Sequence, residues 1–158
     1  MKTTELITAV EASGRRLWVA GEYLAIKPPA LPQVRAQLIE NKQEIIILLL
    51  EREAAPWRDR FERWLKSACI SRPRDFAGLN SLLISFWDWA GSPGNAPFLS
   101  RDAFRWLLAE SGFVSGDVRG ATLVAGLMLT EDVLANEQFQ QPRQPPPAKR
   151  RPHGGRND

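Results

Sequence analysis

The segment 45–50 constrains the fold of this chain most tightly, because its six consecutive residues are all isoleucine or leucine. A helix that buries only one face needs Ile45, Ile46 and Leu49 from this segment, so Ile47, Leu48 and Leu50 require a second apolar surface. That surface can belong to the same chain or to a second subunit. We favour a homodimer, since a module of about 55 residues has little interior of its own. The candidate dimerisation residues are Ile46, Ile47 and Leu50.

A second constraint comes from the segment 16–27, where apolar and polar residues alternate on both sides of Gly21. The alternation predicts a β-hairpin with two different faces. One face is aliphatic and consists of Leu17, Val19, Leu24 and Ile26. The other carries the candidate partner-binding residues Arg16, Trp18, Tyr23 and Lys27. A small sheet covered on one face would expose this second set, and exposed aromatic and basic groups are typical of interface hot spots. Coverage by another helix or subunit is the alternative.

The remaining pattern predicts two folded modules and a tail. In residues 1–55, helices precede and follow the hairpin, and the later helix starts near Pro32 with a break near Asn41. In residues 56–135, apolar stripes at spacings of three and four predict helices, and the glycine-containing segment 114–129 predicts a short two-stranded wing. Residues 136–158 are rich in Gln, Pro and Arg and should be disordered. We therefore predict an α+β fold, with an α-β-β-α-α module, a mainly helical module and a disordered basic tail.

Charge distribution and cysteine content indicate the cellular compartment and the partners that are compatible with this chain. The formal net charge is +3, and the basic excess lies in residues 56–79 and in the tail from Pro142 onward, not uniformly along the chain. No secretory signal is expected after Lys2, and segment 45–50 is far shorter than the ~20 apolar residues that span a bilayer. The single cysteine, Cys69, excludes an internal disulfide, which fits the reducing cytoplasm.

The residue types that catalysis requires are scarce. The only histidine, His153, lies in the tail, which removes Ser-His and Cys-His pairs from the folded part. One cysteine and one histidine cannot form a structural zinc site, and no phosphate-binding glycine motif is present. We interpret the carboxylates as helix-terminal or solvated charges. The expectation is a protein without catalytic residues, metal or cofactor.

Three stretches of the first module share a pattern with a known family. They are ELITAVEASG at 5–14, RLWVAGEYLAIK at 16–27, and VRAQL with NKQEIIILLL at 34–38 and 41–50. Residues 5–53 thereby resemble the TubC-type N-terminal docking domain. The resemblance implies an α-β-β-α-α fold, a homodimer, and a hairpin that receives the terminal peptide of a partner as an added strand. It also implies that Arg16 and Lys27 meet acidic groups of that peptide.

The second module shares a pattern of apolar positions with another family. The matching stretches are LLISFWDWAG at 82–91, SRDAFRWLL at 100–108 and VAGLML at 124–129. Residues 61–132 thereby resemble the C-terminal winged-helix region of phage and plasmid primase–helicases. A winged helix would use residues 100–111 as its groove-reading helix. The candidate nucleic-acid-binding residues are Arg101 and Arg105, pointing together to solvent, Arg119 at the wing tip, and Lys149, Arg150 and Arg151 in the tail.

Two classes of function remain at this point. In the first, the chain is a non-catalytic adaptor of a phage, plasmid or integrated element, which dimerises, docks a partner peptide on its hairpin and touches nucleic acid through its second module and tail. In the second, it is purely a protein–protein docking subunit, for example of a polyketide or nonribosomal-peptide assembly line. We favour the first because of the winged-helix resemblance and the basic tail, although the acidic balance of residues 80–141 argues against it.

Overall fold

A computed structural model describes residues 1–91 and 98–134 of the chain. Its first half contains a helix, a hairpin and two helices. These are α1 (Thr3–Ala12), β1 (Arg16–Ala20), β2 (Tyr23–Lys27), α2 (Pro32–Glu40) and α3 (Lys42–Ala54). Helix α2 begins with a proline at its first position and ends at Glu40 with Asn41 as its C-cap, so the predicted start and break of the helical segment are both observed.

The second half has the element order helix, strand, helix, helix, strand, strand. After a short 3-10 turn at Ala55–Trp57, it contains α4 (Arg58–Ala68), β3 (Cys69–Gly78), α5 (Leu79–Ala90), α6 (Arg101–Glu110), β4 (Ser115–Val118) and β5 (Ala121–Leu129). The three strands form one antiparallel sheet in the order β3-β5-β4. The fold is therefore α+β, as predicted.

Strand β3 is an element that the sequence analysis missed, and with it the second half is less helical than expected. The segment contains Arg72, Pro73 and Arg74 and has no regular alternation. Its register with β5 shifts between Ser71 and Phe76. Proline and charged residues are tolerated at edge strands and bulges, where they also discourage pairing with other chains. A local pattern search overlooks such a strand because its partner, β5, lies about 50 residues away along the chain.

Helix α3 contributes to two hydrophobic cores, which explains the apolar run 45–50. Ile45 and Leu49 pack with α1, β1 and α2 in the first core. Leu50 and Ala54 pack in the second core with residues of α4, α5, α6 and the sheet. The second apolar surface that the run requires is thus supplied by the same chain.

This arrangement corrects the predicted dimerisation surface. Leu50 is buried, so its side chain is not available to a second subunit, and Ile46 is half-buried against the second core. Of the three candidates only Ile47 is exposed, at 42% of its surface. The expectation of little interior was wrong because it assumed that residues 1–55 pack only with one another, whereas α3 also packs into the second core. Dimerisation itself stays a prediction.

The second core is built around a cluster of aromatic rings. Trp57, Phe61, Trp64, Phe86 and Phe104 are all fully buried. Their ring centroids lie 5.6–6.3 Å apart, several of them edge to face. This geometry is favourable for aromatic pairs beyond the area they bury. The tryptophans at positions 57 and 64 are accordingly core residues, as the helical stripes predicted.

The two halves of the described chain are joined by polar contacts as well as by α3. The backbone N–H of Gly21 at the hairpin turn donates to Asp102 Oδ2 at 3.1 Å, and the N–H of Ser100 donates to the Glu53 carboxylate. Val19 packs against both cores. Strand β1 is therefore held against the second half, whereas β2 is the strand away from it. Within residues 1–91 and 98–134, no helix is both long and apolar enough to cross a membrane.

Candidate functional site

The hairpin is a two-stranded antiparallel sheet, and its register places alternating residues on opposite faces. Arg16 pairs with Lys27, Trp18 with Ala25 and Ala20 with Tyr23. The described chain adds no third strand to this sheet. In an antiparallel pair closed by a two-residue turn, the backbone groups of Leu24 and Ile26 on β2 point away from β1. The outer edge of β2 therefore presents N–H and C=O groups that no other strand of the described residues pairs with.

The face opposite the core carries the four predicted partner-binding residues together, as the alternation predicted. Arg16 and Lys27 are exposed, Tyr23 is exposed over 72% of its surface, and Trp18 over 37%. The guanidinium of Arg16 lies 5.7 Å from the centroid of the Trp18 ring. Arg16 and Lys27 are directly opposite each other in the register, and like charges in that position repel. An anionic group bound between them would relieve this repulsion.

A groove of about 350 Å³ runs along the outer edge of β2. Its walls combine β2, the segment after it, helix α2 and the start of α3. They are lined by Tyr23, Leu24, Ile26, Pro29, Ala30, Arg35, Leu38, Ile39 and Lys42. The floor is aliphatic, and the only charged residues in the lining are Arg35 and Lys42, both basic. The Lys42 ammonium lies 5.4 Å from the Tyr23 ring centroid, a cation–π contact that positions it at the rim.

A second hollow lies on the other side of the hairpin, beside β1, and it differs in charge. Its lining contains Glu11, Arg52, Glu53 and Arg16, so acidic and basic groups balance. Glu11 and Arg52 form an ion pair at 2.7 Å, and hydrogen bonding to Arg52 lowers the pKa of the Glu11 carboxyl. This edge of the sheet also lies against the second half of the protein. The β1 side is therefore partly occupied and electrically neutral, while the β2 side is open and basic.

The structure divides the four predicted residues between these two sides. Tyr23 and Lys27 belong to β2, and Tyr23 also lines the basic groove. Arg16 and Trp18 belong to β1 and line the neutral hollow. The sequence analysis missed Arg35, Leu38, Ile39 and Lys42, which α2 and α3 bring to the groove. The sequence did contain a signal for this groove, because Ile39 is an apolar residue that lies outside a one-sided helical stripe. In the structure it is 65% exposed.

Arg101 is exposed but Arg105 is not, so the two do not point to solvent together as predicted. Arg101 donates from Nε to Asn80 Oδ1 at 3.1 Å and from a terminal nitrogen to Thr122 Oγ1 at 2.8 Å. Arg105 is half-buried and donates from Nε to Ser115 Oγ at 2.6 Å. Arg101 and Arg105 are one turn apart on α6, on the side of the helix that faces β4 and β5. Both side chains therefore reach the sheet. They act as ties between α6 and the sheet.

Helix α6 also presents little free surface for groove reading. Ala103, Phe104, Leu107 and Leu108 are buried. Asp102 accepts from Gly21, and Glu110 forms an ion pair with Arg58 at 2.7 Å. A groove-reading helix needs side chains that are free to reach base edges. Of the predicted contacts, Arg119 is exposed in the turn between β4 and β5, and Lys149, Arg150 and Arg151 lie outside the described residues.

Neither a metal-binding cluster nor a reactive thiol is present among the described residues. No three His, Cys, Asp or Glu side chains among them lie close enough to hold a metal ion. The thiol of Cys69 is buried, and its burial raises its pKa to about 12. A thiol with such a pKa carries almost no thiolate near neutral pH and is a poor nucleophile. What the described surface offers is a set of binding features, of which the β2 edge and its groove are the most complete.

Comparisons with protein-family models, with curated proteins and with solved structures found no match to this chain.

Proposed function

We propose that this protein is a non-catalytic docking protein that binds an extended segment of a partner protein along the outer edge of β2. The observation that carries the proposal is the unpaired edge of β2 lying beside a groove with an aliphatic floor and two basic side chains. Addition of a peptide strand to a free sheet edge is a recurring mode of recognition. Backbone hydrogen bonds supply affinity, and pockets for alternate side chains supply selectivity.

The geometry assigns different roles to the two faces of a docked strand. Side chains at alternate positions would enter the groove against Leu38 and Ile39, so apolar residues are favoured there. Side chains at the intervening positions would lie on the open face beside Tyr23 and Lys27. Arg35 and Lys42 at the groove and Lys27 on the face make both environments positive. The preferred segment therefore alternates apolar and polar residues and carries at least one acidic group.

The resemblance to the TubC-type docking domain supports the same assignment, since that family receives a partner peptide on its hairpin. In this chain the second half adds a support for the hairpin, through the contacts of Gly21 with Asp102 and of Val19 with both cores. A rigid hairpin loses less conformational entropy when a peptide binds to it. We therefore assign the second half, whose element order fits the winged-helix resemblance, a structural role at the docking site.

Selection from a display library of random linear peptides tests the proposal. The bait is the full chain, and the counter-selection bait is a variant that carries both Arg35→Glu and Lys42→Glu. We expect the wild type to enrich peptides with alternating apolar residues and an acidic residue. Binding of an enriched peptide should weaken by about 10-fold or more in the double variant, because rim charges that attract the peptide would now repel it. Fluorescence polarisation with a labelled peptide measures the change.

A matched control separates loss of the site from a general change in charge. Lys66→Glu combined with Arg63→Glu reverses two exposed basic residues of α4, far from the groove lining. This control should bind the enriched peptide as the wild type does. If the peptides selected by the wild type bind the groove variant equally well, the β2 groove is not the docking site. If no linear peptide is enriched above background, the docking function proposed here is wrong.

A further inference from the structure

The three-stranded sheet has an outer face that no described element covers. The register places Phe76 opposite Ala125, Leu123 opposite both Gly78 and Gly116, and Val118 opposite Ala121. The inner face of the same strands carries Val124, Leu127 and Leu129, all buried in the second core. Gly126 has a positive φ of 82°, and the alternation of β5 shifts at this residue, so that Ala125 and Met128 both belong to the outer face.

The outer face is half-buried at Leu123, Ala125 and Met128, exposed around them, and carries no charge at its paired positions. Phe76 is exposed over 61% of its surface, Val118 over 52%, and the adjoining Val114 over 73%. An antiparallel sheet with one face in water normally alternates apolar inward residues with polar outward residues. The β4 and β5 positions on this face are instead glycine, alanine, valine, leucine and methionine. Contiguous exposed apolar patches are uncommon on monomers once they grow large, and large ones mark interaction sites.

The shape of this face suits a second copy of itself. A shallow hollow of about 180 Å³ lies at its centre, lined by small residues such as Gly116 and Ala125 and rimmed by Phe76, Val114 and Val118. The face thus carries both a projecting ring and an apolar hollow. In a twofold arrangement each surface contacts its own copy, so a projection and a recess on one face can fill each other reciprocally. The paired positions of this face carry no charged side chain, and the charged residues Arg72, Arg74 and Asp75 lie between the two paired stretches of β3.

We propose that this outer sheet face is a homodimer interface, in which the sheets of two protomers pack face to face. Phe76 of one protomer lies in the hollow of the other, and the two sheets approach closely because Gly78, Gly116 and Ala125 have little or no side chain. The interface lies on the second half of the chain, and the groove beside β2 lies on the first half. The dimer therefore leaves both docking grooves open and presents two of them. This interface is distinct from the one that segment 45–50 predicted.

Light scattering coupled to size exclusion over a series of protein concentrations tests the interface. The wild type should approach a mass of twice 17.8 kDa at high micromolar concentration. Phe76→Asp and Val118→Asp, on different strands, should each raise the dissociation constant by about 100-fold, because each would bury a carboxylate without a partner in an apolar interface. The matched control is Ile84→Asp on α5, whose side chain is also 61% exposed and lies outside the face; this variant should remain dimeric.

Each alternative occupant gives a different result. A wild type that stays monomeric at the highest concentration contradicts the proposal, and so does a dimer that survives both aspartate variants. If Ile47→Glu abolishes the dimer while Phe76→Asp does not, the interface is on α3. If the wild type is monomeric and a chain ending at Leu134 dimerises, residues 135–158 of the same chain cover the face instead. Circular dichroism of each variant verifies that it is folded, and the two sheet variants must agree for the proposal to stand.

Discussion

At the scale of single residues, the exposure of a side chain on α3 depends on whether it packs into one of the two hydrophobic cores. Ile47 and Leu50 are both aliphatic and lie in the same apolar run, yet Ile47 is 42% exposed and Leu50 is 8% exposed. The sequence identified the need for a second surface, but it could not show which chain supplies it. That decision is made by the aromatic core and by α6, which lies 50 or more positions away along the chain.

The difference between these two residues predicts unequal effects on stability. Leu50→Glu buries an unpaired carboxylate in the second core and should lower the free energy of unfolding by about 3 kcal/mol or more. Ile47→Glu places the same group in water and should change it by less than about 0.5 kcal/mol. Urea denaturation followed by circular dichroism measures both values. Equal losses in the two variants would mean that Ile47 is also covered in the protein.

At the scale of elements, the sequence was most informative where a pattern is local. The period-two alternation of 16–27 predicted both strands of the hairpin and the shared face of Arg16, Trp18, Tyr23 and Lys27. It did not predict β3, whose Pro73 and neighbouring arginines break the alternation and whose stability comes from pairing with the distant β5. The docking groove was missed for a related reason: Arg35 and Lys42 come from two helices that only tertiary packing brings beside β2.

The tie between α1 and α3 predicts a pH dependence. Hydrogen bonding to Arg52 lowers the pKa of Glu11 from its ordinary value of 4.5, so the ion pair stabilises the fold at pH values above 4.5. Its contribution is lost as pH falls through the lowered pKa, where the folded protein takes up the proton. Glu11→Gln should lower the free energy of unfolding at pH 7 by less than about 1 kcal/mol, since the pair is partly exposed and screened by solvent.

The comparison of wild type and Glu11→Gln across pH verifies the sign. The two stabilities should converge as the pH is lowered through the pKa of Glu11, which lies below 4.5, because the protonated carboxyl no longer pairs with Arg52. Thermal unfolding at several pH values measures this convergence. A difference that stays constant down to pH 2.5, a value chosen about two units below the ordinary pKa, would show that the ion pair is not its source.

At the scale of the whole molecule, the residues proposed to dock a protein differ from those that could contact nucleic acid. The arginines of α6 bond to Asn80, Thr122 and Ser115, so they have little freedom to contact DNA. We therefore expect weak, salt-dependent DNA binding that depends on Lys149, Arg150 and Arg151 and disappears in a chain ending at Leu134. Fluorescence anisotropy with a labelled duplex at low and high salt measures it. A loss of affinity in Arg101→Ala or Arg105→Ala, with the tail intact and the fold preserved, would restore α6 as a DNA-contacting element.

Amide hydrogen exchange can show directly whether a partner segment extends the hairpin at β2, as we propose. The backbone N–H groups of Leu24 and Ile26 point away from β1 and pair with no other described strand, so they should become protected when a selected peptide binds. We expect a decrease in their exchange rates of at least 10-fold, measured by NMR, with little change at Leu17 and Val19 on the opposite edge. Protection at Leu17 and Val19 without protection at Leu24 and Ile26 would contradict it, and so would tight binding that leaves all four amides unchanged.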